Sequence, residues 1–150
     1  MTFSEGRRPS RQETLLLDTC VLIDHLRGHE SAKAWLTEEA AKRDARFIYS
    51  VITLTELLSG LSGPSGSSGR NADSRQKEAI LALLSLMDPI PVSVGIAARA
   101  ADYVREWGKS RGVAVPDALI AATAQDVGAV LVTRDATHFP MTDIQVCRPY

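Results

Sequence analysis

Short, unbroken apolar runs recur along the chain, and each is followed by a stretch whose apolar residues repeat at helical spacing. Thr14 to Leu17, Arg46 to Tyr49, Pro89 to Val92, Ala129 to Thr133 and Ile144 to Cys147 read as strands. Cys20 to Arg27, Glu30 to Arg43, Val51 to Leu61, a segment from Ser74 to Met87, Val94 to Arg111 and Pro116 to Val127 read as helices. The punctuation fits. Ser50, Ser74 and Ser93 are good N-caps, because a serine hydroxyl accepts from an otherwise orphaned amide of the first turn. Gly28, Gly112 and Gly128 stand where helices end. Pro116 falls in a first turn, where its missing N–H costs nothing. The strands are continuous apolar runs, as expected of a sheet covered on both faces. Strands alternating with helices predict an α/β fold: a three-layer α/β/α sandwich around a mainly parallel sheet.

At 150 residues, of which 45% are hydrophobic, the chain has the length and apolar content of one domain. We assign that domain to residues 14–150 and expect a polar tail over 1–13, in which Arg7, Arg8 and Arg11 are unstructured. Residues 62–69, Ser-Gly-Pro-Ser-Gly-Ser-Ser-Gly, have linker composition. Too little chain lies on either side for two cores, so they predict a mobile loop within one domain. Lys+Arg number 17 against 18 Asp+Glu, a formal net charge of -1. That excludes a protein held to nucleic acid by bulk positive charge; any such contact must be local, around an acidic centre. Cys20 and Cys147 lie in or beside apolar segments and predict reduced core thiols. No run approaches the ~20 apolar residues of a membrane span, and the N-terminal segment has no hydrophobic h-region, so a cytoplasmic protein is expected.

Four acids stand out by position. Asp18 follows Leu15-Leu16-Leu17, Glu56 lies in the helix after the second strand, Asp117 opens the helix from Pro116, and Asp135 follows the run ending at Val132. In a parallel sheet the carboxyl ends of the strands share one edge, and ligands bind in the crevice outside it. Converging carboxylates repel by about 4 kcal/mol per pair at ~4 Å and an effective dielectric of ~20. A hard divalent cation removes that cost, and Mg²⁺ commonly takes phosphate oxygens as further ligands. Phosphate-ester chemistry follows.

Each acid also has a structural reading. Asp18 suits an N-cap, Asp117 is stabilised in ionised form by its helix terminus, and Asp135 suits a turn. Glu56 points nearly opposite the face formed by Leu54, Leu57, Leu58 and Leu61, so periodicity places it toward solvent. Asp24 and Arg27, three residues apart, predict a weak surface pair. His25 and His29 are separated by Gly28, which breaks any histidine metal pair. There is no Gly-rich phosphate loop and no zinc-type Cys/His spacing.

The segments Leu15-Leu16-Leu17-Asp18-Thr19-Cys20-Val21-Leu22-Ile23-Asp24, Thr53-Leu54-Thr55-Glu56-Leu57-Leu58-Ser59-Gly60-Leu61, Pro116-Asp117-Ala118-Leu119-Ile120-Ala121-Ala122-Thr123-Ala124 and Leu131-Val132-Thr133-Arg134-Asp135-Ala136-Thr137-His138-Phe139 follow in this order. Together they resemble the PIN domain, and within it the VapC-type toxins of bacterial toxin–antitoxin pairs. The resemblance runs from Leu15 to Tyr150. It implies a metal-dependent endoribonuclease with Mg²⁺, or Mn²⁺, as cofactor. Asp18 and Asp117 match the main metal ligands, and Glu56 and Asp135 match acids that bind directly or through water. Thr19 and Thr133 match hydroxyls that support the carboxylates. His138 stands where many relatives carry a further Asp or Glu, which leaves Asp135 as the fourth acid. The resemblance also implies an RNA substrate, a homodimer, and a cognate antitoxin that places a basic side chain in the acidic crevice. A second reading stays open, in which a PIN-like module binds nucleic acid or a partner without cutting and acts with a DNA-binding antitoxin. Haloacid dehalogenase phosphatases need Asp-x-Asp after the first strand, where this chain has Cys20. Response-regulator receivers need an acidic pair and a late Lys that this chain lacks.

Overall fold

Leu15, Leu16 and Leu17 are all buried, yet they serve two different layers. Successive side chains of a strand point to opposite faces. Leu16 therefore joins one core with Ile48 and Leu131, while Leu15 and Leu17 join the other with Tyr49, Val130 and Val132. The computed structural model describes residues 12–42, 44–61 and 69–150, without the side chains of 69–71. The tail with Arg7, Arg8 and Arg11, the residue Arg43 and residues 62–68 of the Gly/Ser-rich stretch lie outside the described residues.

The elements are β1 (Glu13–Leu17), α1 (Thr19–Leu26), α2 (Glu30–Ala41), β2 (Ala45–Ser50), α3 (Val51–Ser59), α4 (Gly69–Leu84), β3 (Asp88–Ile90), α5 (Val94–Arg111), α6 (Val115–Val127), β4 (Val130–Val132), a 3₁₀ turn (Ala136–His138) and β5 (Gln145–Cys147). All four strand pairings are parallel. The five-stranded sheet runs in the order β3-β2-β1-β4-β5. Helices α1 to α4 pack on the face of Leu15 and Leu17, and α5 and α6 pack on the face of Leu16. This is the expected three-layer α/β/α sandwich. Pro89 is confined to the edge strand β3, where its missing amide breaks no internal ladder.

The caps at Ser50 and Ser93 form: their hydroxyls accept from the amides of Ile52 and Ile96 at 3.2 and 3.1 Å. Gly112 and Gly128 take left-handed backbone, with φ of 67° and 66°. Two expectations fail. Ser74 is no cap, since α4 begins at Gly69 and Ser74 lies inside it; good helix formers from Arg75 onward hid the earlier start. Cys147 is exposed and Cys20 half-buried, so neither is a core thiol. Cys147 is on the edge strand, where one side of the ladder faces solvent.

The topology places the site. From β1 the chain winds outward to β2 and β3, then returns to lay β4 on the other side of β1. The order therefore reverses between β1 and β4. At such a switch point the two crossovers leave in opposite directions and open a crevice at the carboxyl ends.

Candidate active site

Asp18 ends β1 at that crevice. It caps α1, its Oδ1 accepting from the Thr19 amide at 2.8 Å, and it is only 7% exposed. Its Oδ2 accepts from the Thr133 hydroxyl at 2.8 Å and from the Cys20 thiol at 3.4 Å. Thr133 follows β4 and is fully buried. Its hydroxyl also accepts from the Asp135 amide at 3.0 Å. One hydroxyl thus ties the end of β1 to the turn that carries Asp135. The Cys20 pKa is raised by burial and by the Asp18 charge, so it stays a neutral thiol and donates. The sequence held no signal for this contact beyond adjacency.

Glu56 is brought in from the other side. The Thr19 hydroxyl lies 2.9 Å from Glu56 Oε1 and 3.1 Å from the Thr53 hydroxyl. The buried face of α3 is wider than the leucine face that periodicity gave: Leu57 is buried and Leu54, Leu58 and Leu61 pack against the same core, but Thr53 is fully buried as well. Thr53 and Leu57 are its buried residues, while Leu54 and Leu58 are half-buried. At about 100° per residue, Glu56 lies roughly 60° from Thr53, on the flank of the packed face and facing the crevice. A threonine scores as polar in a periodicity reading, so that part of the inner face was invisible.

Asp117 stands in the first turn of α6. Burial raises its pKa above the ordinary carboxylate range, with the charges of Asp18, Glu56 and Asp135 adding to the rise and His138 opposing it. The helix terminus was expected to keep this acid ionised; burial and three like charges act against that dipole. The charges of the other three acids thus all reach Asp117. His138 lies between two of them, with Nδ1 3.5 Å from Asp117 Oδ2 and Nε2 3.5 Å from Asp135 Oδ2. Asp135 is exposed, and its Oδ1 accepts from the Thr137 hydroxyl at 3.1 Å.

The raised Asp117 pKa has a stability consequence. The native state binds this proton more tightly than the unfolded chain does, so the ionised form destabilises the fold. That cost is present at neutral pH and disappears as pH falls through the raised pKa toward the ordinary carboxylate range. Asp117→Asn is therefore expected to melt a few degrees above wild type in EDTA at pH 7, with the gap closing as pH is lowered. Thermal unfolding at several pH values checks this; a lower melting point for the variant at pH 7 contradicts it.

The donor set suits a hard cation. It consists of carboxylate oxygens supported by hydroxyls and an amide, with burial that penalises uncompensated negative charge. Among the described residues no three His, Cys, Asp or Glu side chains already form a metal cage. Beside Glu56 lies a groove of about 280 Å³ lined by Ile23, Leu26, Leu57, Leu61 and Ile80, with Arg27 at its wall.

A PIN domain profile matches residues 15–143. The chain belongs to the PIN domain family. Ribonuclease VapC10 of Mycobacterium tuberculosis is 35% identical over 128 residues, which covers 85% of this chain and 86% of that relative. The crystal structure of FitAcB from Neisseria gonorrhoeae superposes with a TM-score of 0.70 at 30% identity, over 90% of this chain and 97% of that one. A toxin–antitoxin complex from Klebsiella pneumoniae gives a TM-score of 0.67 at 28% identity, over 91% and 98%. The PIN fold and the VapC likeness implied by the four acidic segments are thus both found.

Sequence reasoning also misplaced Asp24, near the crevice. Asp24 does not pair with Arg27 at the surface. It is buried and pairs with Arg134, Nη1 to Oδ2 at 2.9 Å. Helix α1 packs that face against the turn after β4, and a partner 110 residues away leaves no local spacing to read.

Proposed function

We propose that this chain is the metal-dependent endoribonuclease toxin of a toxin–antitoxin pair. What supports the reading is that Asp18 and Glu56 both contact Thr19, while Asp117 and Asp135 both contact His138, at the β1/β4 switch point. Asp18 and Asp117 are the direct holders of Mg²⁺ or Mn²⁺, and Glu56 and Asp135 hold it directly or through water. When bound there, the ion supplies Lewis-acid polarisation of the phosphoryl oxygen and of the attacking water. The protein's own part is positional. The Thr19 amide and the Thr133 hydroxyl fix both oxygens of Asp18, and the Thr19 hydroxyl orients Glu56. Ribonuclease VapC10, at 35% identity, supports RNA as the substrate.

The Klebsiella pneumoniae toxin–antitoxin complex supports an antitoxin partner. The apolar groove beside Glu56 suits a peptide that buries apolar side chains there and sets a basic group against the acids. In this reading the protein works as a homodimer in the cytoplasm. Among the described residues no helix is long and apolar enough to cross a membrane.

Chelation tests the reading. Purified protein is expected to cut RNA in Mg²⁺ or Mn²⁺, to lose cleavage completely in excess EDTA, and to regain it when the cation is restored, with unchanged far-UV circular dichroism throughout. RNA binding without cleavage in either metal supports the non-cutting alternative instead.

A further inference from the structure

Asp24, Arg134 and Tyr150 meet beside the acidic crevice without belonging to it. Asp24 is 6% exposed on α1. Its Oδ2 accepts from the Tyr150 hydroxyl at 2.8 Å and faces Arg134 Nη1 at 2.9 Å, while its Oδ1 accepts from the same Nη1 at 3.1 Å. Tyr150 is fixed in turn. Its ring stacks on His29 with centroids 5.4 Å apart, and its main-chain oxygen accepts from Arg148 Nε at 3.1 Å.

A buried carboxylate needs a cation, and satisfying Asp24 is one thing Arg134 does. That task uses only one of the three guanidinium nitrogens. Among the described residues Nε and Nη2 have no hydrogen-bond partner, and the Arg134 side chain is 47% exposed. Those two nitrogens present the parallel N–H pair that fits phosphate oxygens. The position matters as much as the chemistry. Arg134 stands between Thr133, which holds Asp18, and Asp135. A crevice of four carboxylates repels a polyanion, and a substrate needs a fixed positive group at its rim.

We propose that Arg134 is a backbone-phosphate contact for RNA at the rim of the acidic crevice, with Asp24 and Tyr150 as the positioning residues that hold its guanidinium ready. The proposal rests on the ribonuclease reading and deepens it by assigning a residue that grips the substrate apart from the acids. Asp24 lowers the conformational freedom that a long arginine otherwise loses on binding, and Tyr150 keeps the Asp24 oxygens aimed.

The test uses full-length protein carrying Asp18→Asn, so that RNA is bound and not consumed. Binding of a fluorescein-labelled, unstructured 20-nucleotide RNA is followed by anisotropy over a series of salt concentrations. Adding Arg134→Gln is expected to weaken binding roughly tenfold at low salt and to flatten the slope of log affinity against log salt by about 0.7, the loss of one single-strand phosphate contact. Arg134→Lys is expected to keep the slope while losing several-fold in affinity, because the charge stays and the fork is gone. Tyr150→Phe is expected to do the same. If Arg134→Gln misfolds because Asp24 is left alone, the Asp24→Asn/Arg134→Gln pair removes that uncompensated charge and must show the same flattening. An unchanged slope in a folded Arg134→Gln or paired variant, with cleavage by the Asp18-containing protein intact, overturns the Arg134 assignment alone. Neither binding nor cleavage by any form overturns the ribonuclease reading, and this proposal with it.

Discussion

Asp18→Asn is expected to leave a folded protein that no longer cuts RNA. The substitution is nearly isosteric. The remaining carbonyl oxygen still accepts from the Thr19 amide, as Oδ1 does at 2.8 Å. The new amide faces the Thr133 hydroxyl, which has lone-pair capacity to accept a second hydrogen bond beyond the one from the Asp135 amide at 3.0 Å. Packing is therefore kept, and the melting point should move by only a few degrees. What is lost is one charge and one oxygen donor at the centre of the proposed cation site. Substituting even the outer partners of metal ligands typically costs about 10–100-fold, so removal of a direct carboxylate should lower kcat/KM by at least about 100-fold. Asp117→Asn is expected to behave in the same way. Two measurements check this: cleavage of labelled RNA by purified protein, and growth after induction in the absence of antitoxin, where both variants should relieve the arrest. Wild-type cleavage rates in pure Asp18→Asn protein would remove the metal-nuclease mechanism.

The largest expected effect on stability lies two residues before Asp18, in β1. Leu16 is fully buried in β1, opposite Ile48 in β2 and Leu131 in β4, and Leu131 is opposite Val146 in β5. The row crosses the sheet and packs beneath α5 and α6. Close packing leaves nothing free to collapse into the space of a missing isobutyl group. Leu16→Ala should cost about 2–5 kcal/mol, against a total of only about 5–15 kcal/mol for a typical domain. Urea unfolding should show a lower midpoint with an unchanged slope. A loss below about 1 kcal/mol would mean that the core repacks around the gap. Activity per folded molecule should change far less than in Asp18→Asn, which separates the two kinds of damage.

Much of this was legible in the sequence because the relevant signals are local. A buried parallel strand writes itself as an unbroken apolar run, and Ser50, Ser93, Gly112 and Gly128 mark helix ends through capping chemistry that needs no tertiary knowledge. The acids were found by the same route, as carboxylates next to strand ends. Three things were not legible. The inner face of α3 extends past its leucines to Thr53, whose hydroxyl lies near that of Thr19, so a polarity scale placed Glu56 farther from the packed face than it is. The Asp117 pKa is raised by burial first and then by acids distant in sequence, whereas the helix-terminus argument saw only its own turn. Asp24 was given a neighbour three residues away because helical spacing suggests one, while its real partners, Arg134 and Tyr150, arrive through the sheet and the segment after β5.

The Thr133–Asp18 hydrogen bond spans 115 residues, and that length sets a clock. Asp18 is made well before Thr133. At roughly 5–20 residues per second, the interval between them is roughly 6–23 s. Through that interval β4 does not exist, Asp135 has not been made, and the β1 edge has nothing to close against. Until the last crossover is laid down, the proposed cation site lacks Asp135, and Asp18 lacks the hydroxyl of Thr133 that holds one of its oxygens. An inhibitor present at that moment meets the nuclease as it is completed.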